Sequence, residues 1–295
     1  MEKILLMTDS SSDISKEMEN ELKIRVLNMP VAINGESYFD RESFSNDEFY
    51  EILNNNEEIP ATSHITAPVF MDEYLKAYNE GYTDIIYVSI NENGSATYNA
   101  SMQGKELLFD EYPELREKLN LYLIPSKTFS MGYGIPVALG AKMLNEETHT
   151  AKEIVAAIEE YLLKFDVCFS MYTLKFAKKS GRLSATAAFV GEMLGIRPLL
   201  TFRNGSNLIF DKVRGDKNIV PAIADYYLKN HIDGDDNYYI AIGEDQSVGV
   251  ELENLIFAKT GKKAKMIYKE GACIAINAGP RIIGIGFMSK NKNEK

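Results

Sequence analysis

Ile4-Leu5-Leu6-Met7-Thr8-Asp9-Ser10-Ser11-Ser12-Asp13 is the stretch whose reading decides the fold. Four consecutive apolar residues, broken off by hydroxyl and carboxyl side chains, read as a buried strand that runs into a cluster of N-cap residues. Ile14 to Leu22 then carries helical spacing. Strand, polar turn and helix in that order open an α/β layer.

Working outward, the alternation continues. Arg25 to Ile33 reads as a second strand, and Ser45 with Glu48 forms a capping box ahead of Phe49 and Ile52. After the break at Glu57-Glu58-Ile59-Pro60, Thr66 is placed to cap a helix with Pro68 just inside it, and Val69, Phe70, Tyr74 and Ala77 form its apolar stripe. Asp84 to Ile90 is a strand, Asn91 to Ser95 a turn, and Ala96 to Leu108 a helix. Leu119 to Ile124 is the next strand, followed by a small-residue loop from Ser126 to Gly134; Thr150 to Phe165 is a helix joining the halves. This spacing predicts a first domain over residues 1–160, a mostly parallel sheet with helices on both faces.

Residues 161–295 change character and predict an α+β domain with a mixed or antiparallel sheet. Strands are expected at Val167–Tyr172, Arg197–Phe202, Leu208–Val213, Tyr238–Gly243, Ala264–Tyr268, Cys273–Ile276 and Ile282–Phe287. Asn204-Gly205 between two of them is a hairpin signal. Helices are expected at Ser184–Leu194, Lys217–Leu228 and Gly249–Lys259.

Composition narrows the function classes. The 295 residues suffice for two domains, and 32 Lys+Arg against 43 Asp+Glu leave a formal charge of −11. That balance argues against nucleic acid or an anionic bilayer as the partner, since both recruit a basic face. No apolar run approaches the ~20 residues of a membrane span, and the N-terminus has too short an apolar stretch for a signal peptide, so a cytoplasmic protein is expected. Cys168 and Cys273, the only cysteines, sit in apolar runs and read as buried thiols. His64, His149 and His231 lie far apart, without metal-ligand spacing, so no metal is expected.

Chemistry is expected at the loops that follow strands and precede helices: Thr8 to Asp13, Asn91 to Ser95, and Ser126 to Gly134. In a parallel sheet, ligands bind at the strands' carboxyl ends, where helix N-termini favour an anion. Ser10, Ser11, Ser12, Ser95, Thr97, Ser126 and Thr128 make these loops rich in hydroxyls, and they are poor in basic residues. Neutral donors suit one carboxylate better than a polyphosphate. A Ser or Thr at a helix start also serves simply as a cap, and each of these residues admits both readings. No P-loop, G-x-G-x-x-G or G-x-S-x-G motif is present, and Gly132-Tyr133-Gly134 lacks a third glycine. As an enzyme, the chain is poorly equipped.

Taken together, Thr8-Asp9-Ser10-Ser11-Ser12-Asp13, Pro60-Ala61-Thr62-Ser63, Ser95-Ala96-Thr97-Tyr98, Thr173-Leu174 with Gly181-Arg182-Leu183, and Gly279-Pro280 resemble, in order and spacing, the signatures of the DegV family. The resemblance implies a two-domain protein that holds one long-chain fatty acid between its domains. It also implies a non-catalytic role, in which a separate ATP-binding kinase subunit converts the presented carboxyl group to an acyl phosphate. The head-group positions it implies are Thr62, Ser63, Ser95, Ala96 and Asn277. Ala96 stands for the family's glycine, Asn277 for a frequent histidine, Arg281 for a second glycine, and Pro125 for the aspartate of an Asp-Ser-Lys motif whose Ser126 and Lys127 remain.

For the acyl tail, Phe189, Val190, Met193, Leu194, Ile274, Ile276, Ile283 and Ile285 are the candidate lining residues; each is also a candidate for plain core. Arg182 is read either as closing over the head group or as capping its turn and pairing with an acid. Arg203 and Arg214, flanking the hairpin, are read as exposed contacts for the kinase partner or as ordinary surface charge. Two competing readings are an enzyme acting on an acyl or phosphorylated small molecule through Ser95 or Asp9, and a purely protein-binding module.

Overall fold

Strand β1 (Ile4–Asp9) buries five of its six residues, in line with the unbroken apolar run, and is the second strand of a four-stranded sheet. The structure, a computed structural model, describes residues 2–182 and 195–292. With β2 (Arg25–Leu27), β6 (Asp84–Ser89) and β7 (Asn120–Pro125), the sheet order is β2-β1-β6-β7, and every pairing is parallel. Thr8 lies in register with Val26 on one side and Val88 on the other, and Val88 with Ile124.

Both faces of this sheet are covered, as parallel sheets require. On one, Leu6, Val26, Ile86, Val88 and Ile124 pack with α1 (Lys16–Leu22), α5 (Met131–Asn145) and α6 (Ala151–Lys164) through Leu22, Tyr133, Val137, Ile154 and Ile158. On the other lie α3 (Ala67–Asn79) and α4 (Thr97–Glu111), with the Phe70 ring 5.0 Å from that of Tyr87. The two helices meet at Gly104, where a Cβ would stand 2.6 Å from Phe70 Cβ and 2.8 Å from Ala67 O.

A second sheet runs β10-β9-β8-β13-β11-β12 and is built from β8 (Phe165–Met171), β9 (Ile196–Arg203), β10 (Ser206–Arg214), β11 (Tyr238–Ile242), β12 (Met266–Lys269) and β13 (Ile282–Met288). Its β11–β12 pair is parallel and the others are antiparallel, so the expected mixed sheet is found. The β9–β10 hairpin turns at Asn204 (φ 51°) and Gly205 (φ 76°), the positive-φ pair that a tight hairpin with right-handed twist needs. Helices α8 (Ile219–Asn230) and α9 (Gln246–Thr260) cover one face of this sheet with Ile223, Tyr227, Leu252 and Ile256.

The boundary between the units differs from the expected split at residue 160. Unit one comprises Met1–Pro30 and Thr62–Leu162, and unit two Val31–Ala61 and Leu163–Lys295. The physical reason is a separate core. Val31 and Ile33 of β3 (Pro30–Ile33) and Phe49, Tyr50 and Leu53 of α2 (Asn46–Asn55) bury against Phe176, Ala272, Ala275 and Ile276. The expected single strand Arg25–Ile33 is thus two strands that serve different cores. β4 (Glu36–Phe39) and β5 (Ala61–Thr62) flank β3 in the order β4-β3-β5.

Cys273–Ile276 is not a strand. It belongs to α10 (Ala272–Ala278), a two-turn helix with six of seven residues buried. A short, wholly apolar run carries no period, and all-round burial explains why strand and helix could not be told apart. α7 (Lys175–Lys179) follows β8, and the expected helix Ser184–Leu194 lies outside the described residues. Both cysteines are buried free thiols, as expected. No helix among the described residues is long and apolar enough to cross a membrane.

Candidate functional site

The carboxyl ends of β1, β6 and β7 carry the three hydroxyl-rich loops, and one buried carboxylate ties them together. Asp9, fully buried, accepts hydrogen bonds from Tyr133 Oη (2.7 Å), Ile90 N–H (2.9 Å), Tyr87 Oη (3.1 Å) and Ser11 N–H (3.2 Å). Burial pushes its carboxyl group above the ordinary range, and these donors pull it back. Burial, then the adjacent Asp9 charge, pushes both phenols well up, so they remain protonated donors. A carboxylate enclosed in this way positions the loops and is not poised to act on a ligand, which counts against the reading of Asp9 as a catalytic acid or base.

After β1 the chain makes a 3-10 turn over Ser10–Ser12 that ends at Asp13 in the left-handed region. Ser10 Oγ accepts the Met29 N–H (3.0 Å), Ser12 Oγ accepts the Ile14 N–H (3.4 Å), and Ser130 Oγ donates to Asp13 (2.6 Å). Close packing holds this turn against α5, since a Cβ on Gly134 would stand 2.1 Å from the Ser12 carbonyl oxygen.

The second loop leads into α4. Gly94 and Ser95 N–H both donate to the Asn91 carbonyl (3.1 Å each), and the Phe129 ring lies against Gly94, where a Cβ would come within 2.5 Å of it. Ser95 Oγ is 2.9 Å from Thr97 Oγ1 and accepts the Thr97 N–H at 3.3 Å; Thr97 Oγ1 also donates to Met29 Sδ at 3.7 Å. Ala96 has ordinary right-handed geometry (φ −74°, ψ −1°), so a Cβ at this position costs no backbone strain. Thr62 lies on β5, and the neighbouring Ser63 N–H donates to the Pro30 carbonyl at 2.9 Å. The Met29-Pro30 pair therefore links the Thr62-Ser63 strand to the turn carrying Ser95 and Ala96.

In the second unit the other candidates are distributed differently. Asn277 is engaged at both ends of its amide, with Oδ1 accepting from Arg182 Nη1 (2.9 Å) and Nδ2 donating to the Cys273 carbonyl (2.6 Å). Arg182 also donates to the Ser180 carbonyl at 3.3 Å, so it braces its own turn as well as the Asn277 amide. Ile283 and Ile285 belong to the core under α8 and α9, and Ile276 to the core with Val31 and Phe49; Ile274 is buried on α10. Phe189, Val190, Met193 and Leu194 lie outside the described residues.

Arg203 is not an exposed contact. Its guanidinium pairs with buried Asp166 through two bonds (2.8 and 3.0 Å), and Tyr226 and Thr201 complete the cluster. Its place on the inward side of a strand end, against a partner 37 residues earlier, is invisible to local sequence reading. Arg214 is exposed, and its carbonyl accepts from Asn218 Nδ2 (2.7 Å). Tyr87, Tyr133 and Met29 were not singled out from the sequence, because what makes them important is contacts across spans of 68 to 124 residues. Among the described residues no three His, Cys, Asp or Glu side chains converge as a metal site.

A sequence profile described as "Uncharacterised protein, DegV family" matches residues 3–290. A DegV domain-containing protein of Clostridium acetobutylicum is 30% identical over 300 residues, covering 98% of this chain and all of the relative. Among solved structures, a fatty acid-binding DegV family protein from Streptococcus agalactiae superimposes with a TM-score of 0.84 at 27% identity, covering 99% of this chain and 100% of that one. A DegV family protein from Thermus thermophilus, described by its fatty acid binding, gives the same TM-score at 24% identity over 97% of this chain and 99% of its own.

Proposed function

Because the chain belongs to the DegV family, we propose that it binds one long-chain fatty acid and presents the carboxylate to a separate ATP-dependent kinase subunit for acyl-phosphate formation. The observation that carries this reading is the likeness, over the whole chain, to the fatty acid-binding protein of Streptococcus agalactiae. In the first unit Thr62, Ser63, Ser95 and Ala96 form the head-group site, joined through Met29-Pro30. In the second, Ile274 is the described residue assigned to the tail, since Ile276, Ile283 and Ile285 are committed to the cores described above. Asn277 has its amide engaged within the second unit, by Arg182 and the Cys273 carbonyl.

Energetics favour this division. Some 15 methylenes at about 0.8 kcal/mol each release on the order of 12 kcal/mol before the entropy of ordering and association. The head group then needs to supply position more than affinity, and neutral hydroxyls leave one carboxylate oxygen open to attack phosphorus. In that step a carboxylate oxygen–phosphorus bond forms and the bond to the departing nucleoside diphosphate breaks, with no proton transferred. The protein itself supplies no catalytic group, and the reaction belongs to the cytoplasm, where ATP is available.

The test is transfer of γ-labelled phosphate from ATP to protein-bound fatty acid in the presence of a fatty-acid kinase subunit. Label in an acyl phosphate only when both proteins are present supports the reading. Turnover of an acyl substrate by the isolated chain, without ATP or partner, supports an enzyme instead.

A further inference from the structure

We infer that Lys127 is the cationic contact for the phosphoryl group of the acyl phosphate, so that this chain distinguishes product from fatty acid by one charge. The inference rests on the reading above and adds a residue to it. Across the loops that close the parallel sheet at its carboxyl edge, residues 8–13, 90–97 and 126–130, Lys127 is the single Lys or Arg.

Its mounting is rigid. Ser126 and Thr128 on either side are buried, Ser126 fastened to the end of β6 and Thr128 to the turn that follows it and carries Ser95. The Ser126 N–H donates to the Ser89 carbonyl (3.1 Å), and the Thr128 carbonyl accepts the Asn91 N–H (3.1 Å). Ser126 Oγ bridges the knuckle, donating to the Thr128 carbonyl (3.1 Å) and accepting the Thr128 N–H (3.3 Å). Lys127 between them is exposed and has a φ of 60°, a left-handed conformation that disfavours a side chain. Strain of this kind at the edge of a ligand site is a signal of function when the surroundings hold it in place.

Its charge is uncommitted. Arg25, Arg197 and Arg203 are each paired with a carboxylate, whereas Lys127 has no ion-pair partner among the described residues. Converting a carboxylate to an acyl phosphate adds one negative charge at the same place. The neighbouring groups are neutral hydroxyls or acids such as Glu92, so Lys127 is the group that gains most from the new charge.

The test compares palmitate with a non-hydrolysable acyl phosphonate, titrated against the full chain and its Lys127→Met and Lys127→Arg variants. Lys127→Met is expected to weaken phosphonate binding roughly tenfold while changing palmitate binding less than about twofold, and Lys127→Arg to restore most of the difference. Equal effects on both ligands, or none on either, overturn the inference. Failure of the wild-type chain to bind palmitate overturns the proposed function as well, which separates the two outcomes.

Discussion

The hydroxyls of Ser95 and Thr97 lie 2.9 Å apart at the first turn of α4, and Thr97 in turn reaches Met29 Sδ at 3.7 Å. The Ser95 side chain is therefore held before any ligand arrives, by a fully buried threonine that touches no solvent. Preorganisation of this sort lowers the entropy cost of gripping a head group.

Replacing Ser95 and Thr62 together by alanine is expected to reduce acyl phosphorylation far more than lipid binding, because tail burial dominates affinity. Fatty-acid binding measured by calorimetry beside phosphotransfer with the kinase subunit decides it. Equal loss of both contradicts the division of labour between head group and tail.

Asp9→Asn is expected to destabilise the first unit by about 1–3 kcal/mol, since an amide nitrogen would face either the Ile90 or the Ser11 N–H, leaving a buried donor unpaired. The pH dependence has a definite sign. The folded carboxyl titrates above its ordinary value of 3.8. The folded state therefore holds the proton more tightly than the unfolded one, and the corresponding stability is complete below pH 3.8 and lost as pH rises through the folded value. Urea midpoints against pH should show this slope in the wild type and its absence in the asparagine variant.

Gly134→Ala sets two effects against each other. Alanine in a helix interior is normally favoured by about 1 kcal/mol over glycine. Here the added methyl would stand 2.1 Å from the Ser12 carbonyl oxygen, a backbone atom that moves only with the whole turn. Net destabilisation of about 1–3 kcal/mol is expected, with lowered thermal stability as the readout.

Arg203→Ala and Arg214→Ala distinguish a buried pair from surface charge. Removing Arg203 leaves Asp166 charged and buried, at a cost of about 3–5 kcal/mol. Arg214→Ala is expected to change stability by less than about 0.5 kcal/mol. Chemical denaturation of both variants is the check, and similar midpoints would refute the assignment of Arg203 to the core.

How much of this was legible beforehand depends on whether the signal was local. The parallel sheet followed from strand, cap and helix in Ile4 to Leu22, repeated at Asp84–Leu108 and Leu119–Gly134, because periodicity and capping are local properties. The hairpin at Asn204-Gly205 was legible for the same reason. Three features were not. The assignment of Val31–Ala61 to the second unit depends on Phe176 and Ala275, more than 100 residues away. Helix α10 is buried all round and shows no period. The Asp9 hub joins side chains separated by 78 and 124 residues, and tyrosine at positions 87 and 133 carries no local mark of that role. Arg203 failed as a surface candidate because its position beside a hairpin turn says nothing about which way the side chain points.

The most direct test is the ligand itself. Native mass spectrometry of the purified chain, followed by analysis of its lipid extract, should find one long-chain fatty acid per protein, or one taken up from supplied palmitate. A chain that carries no acyl group and takes none up would contradict the central claim.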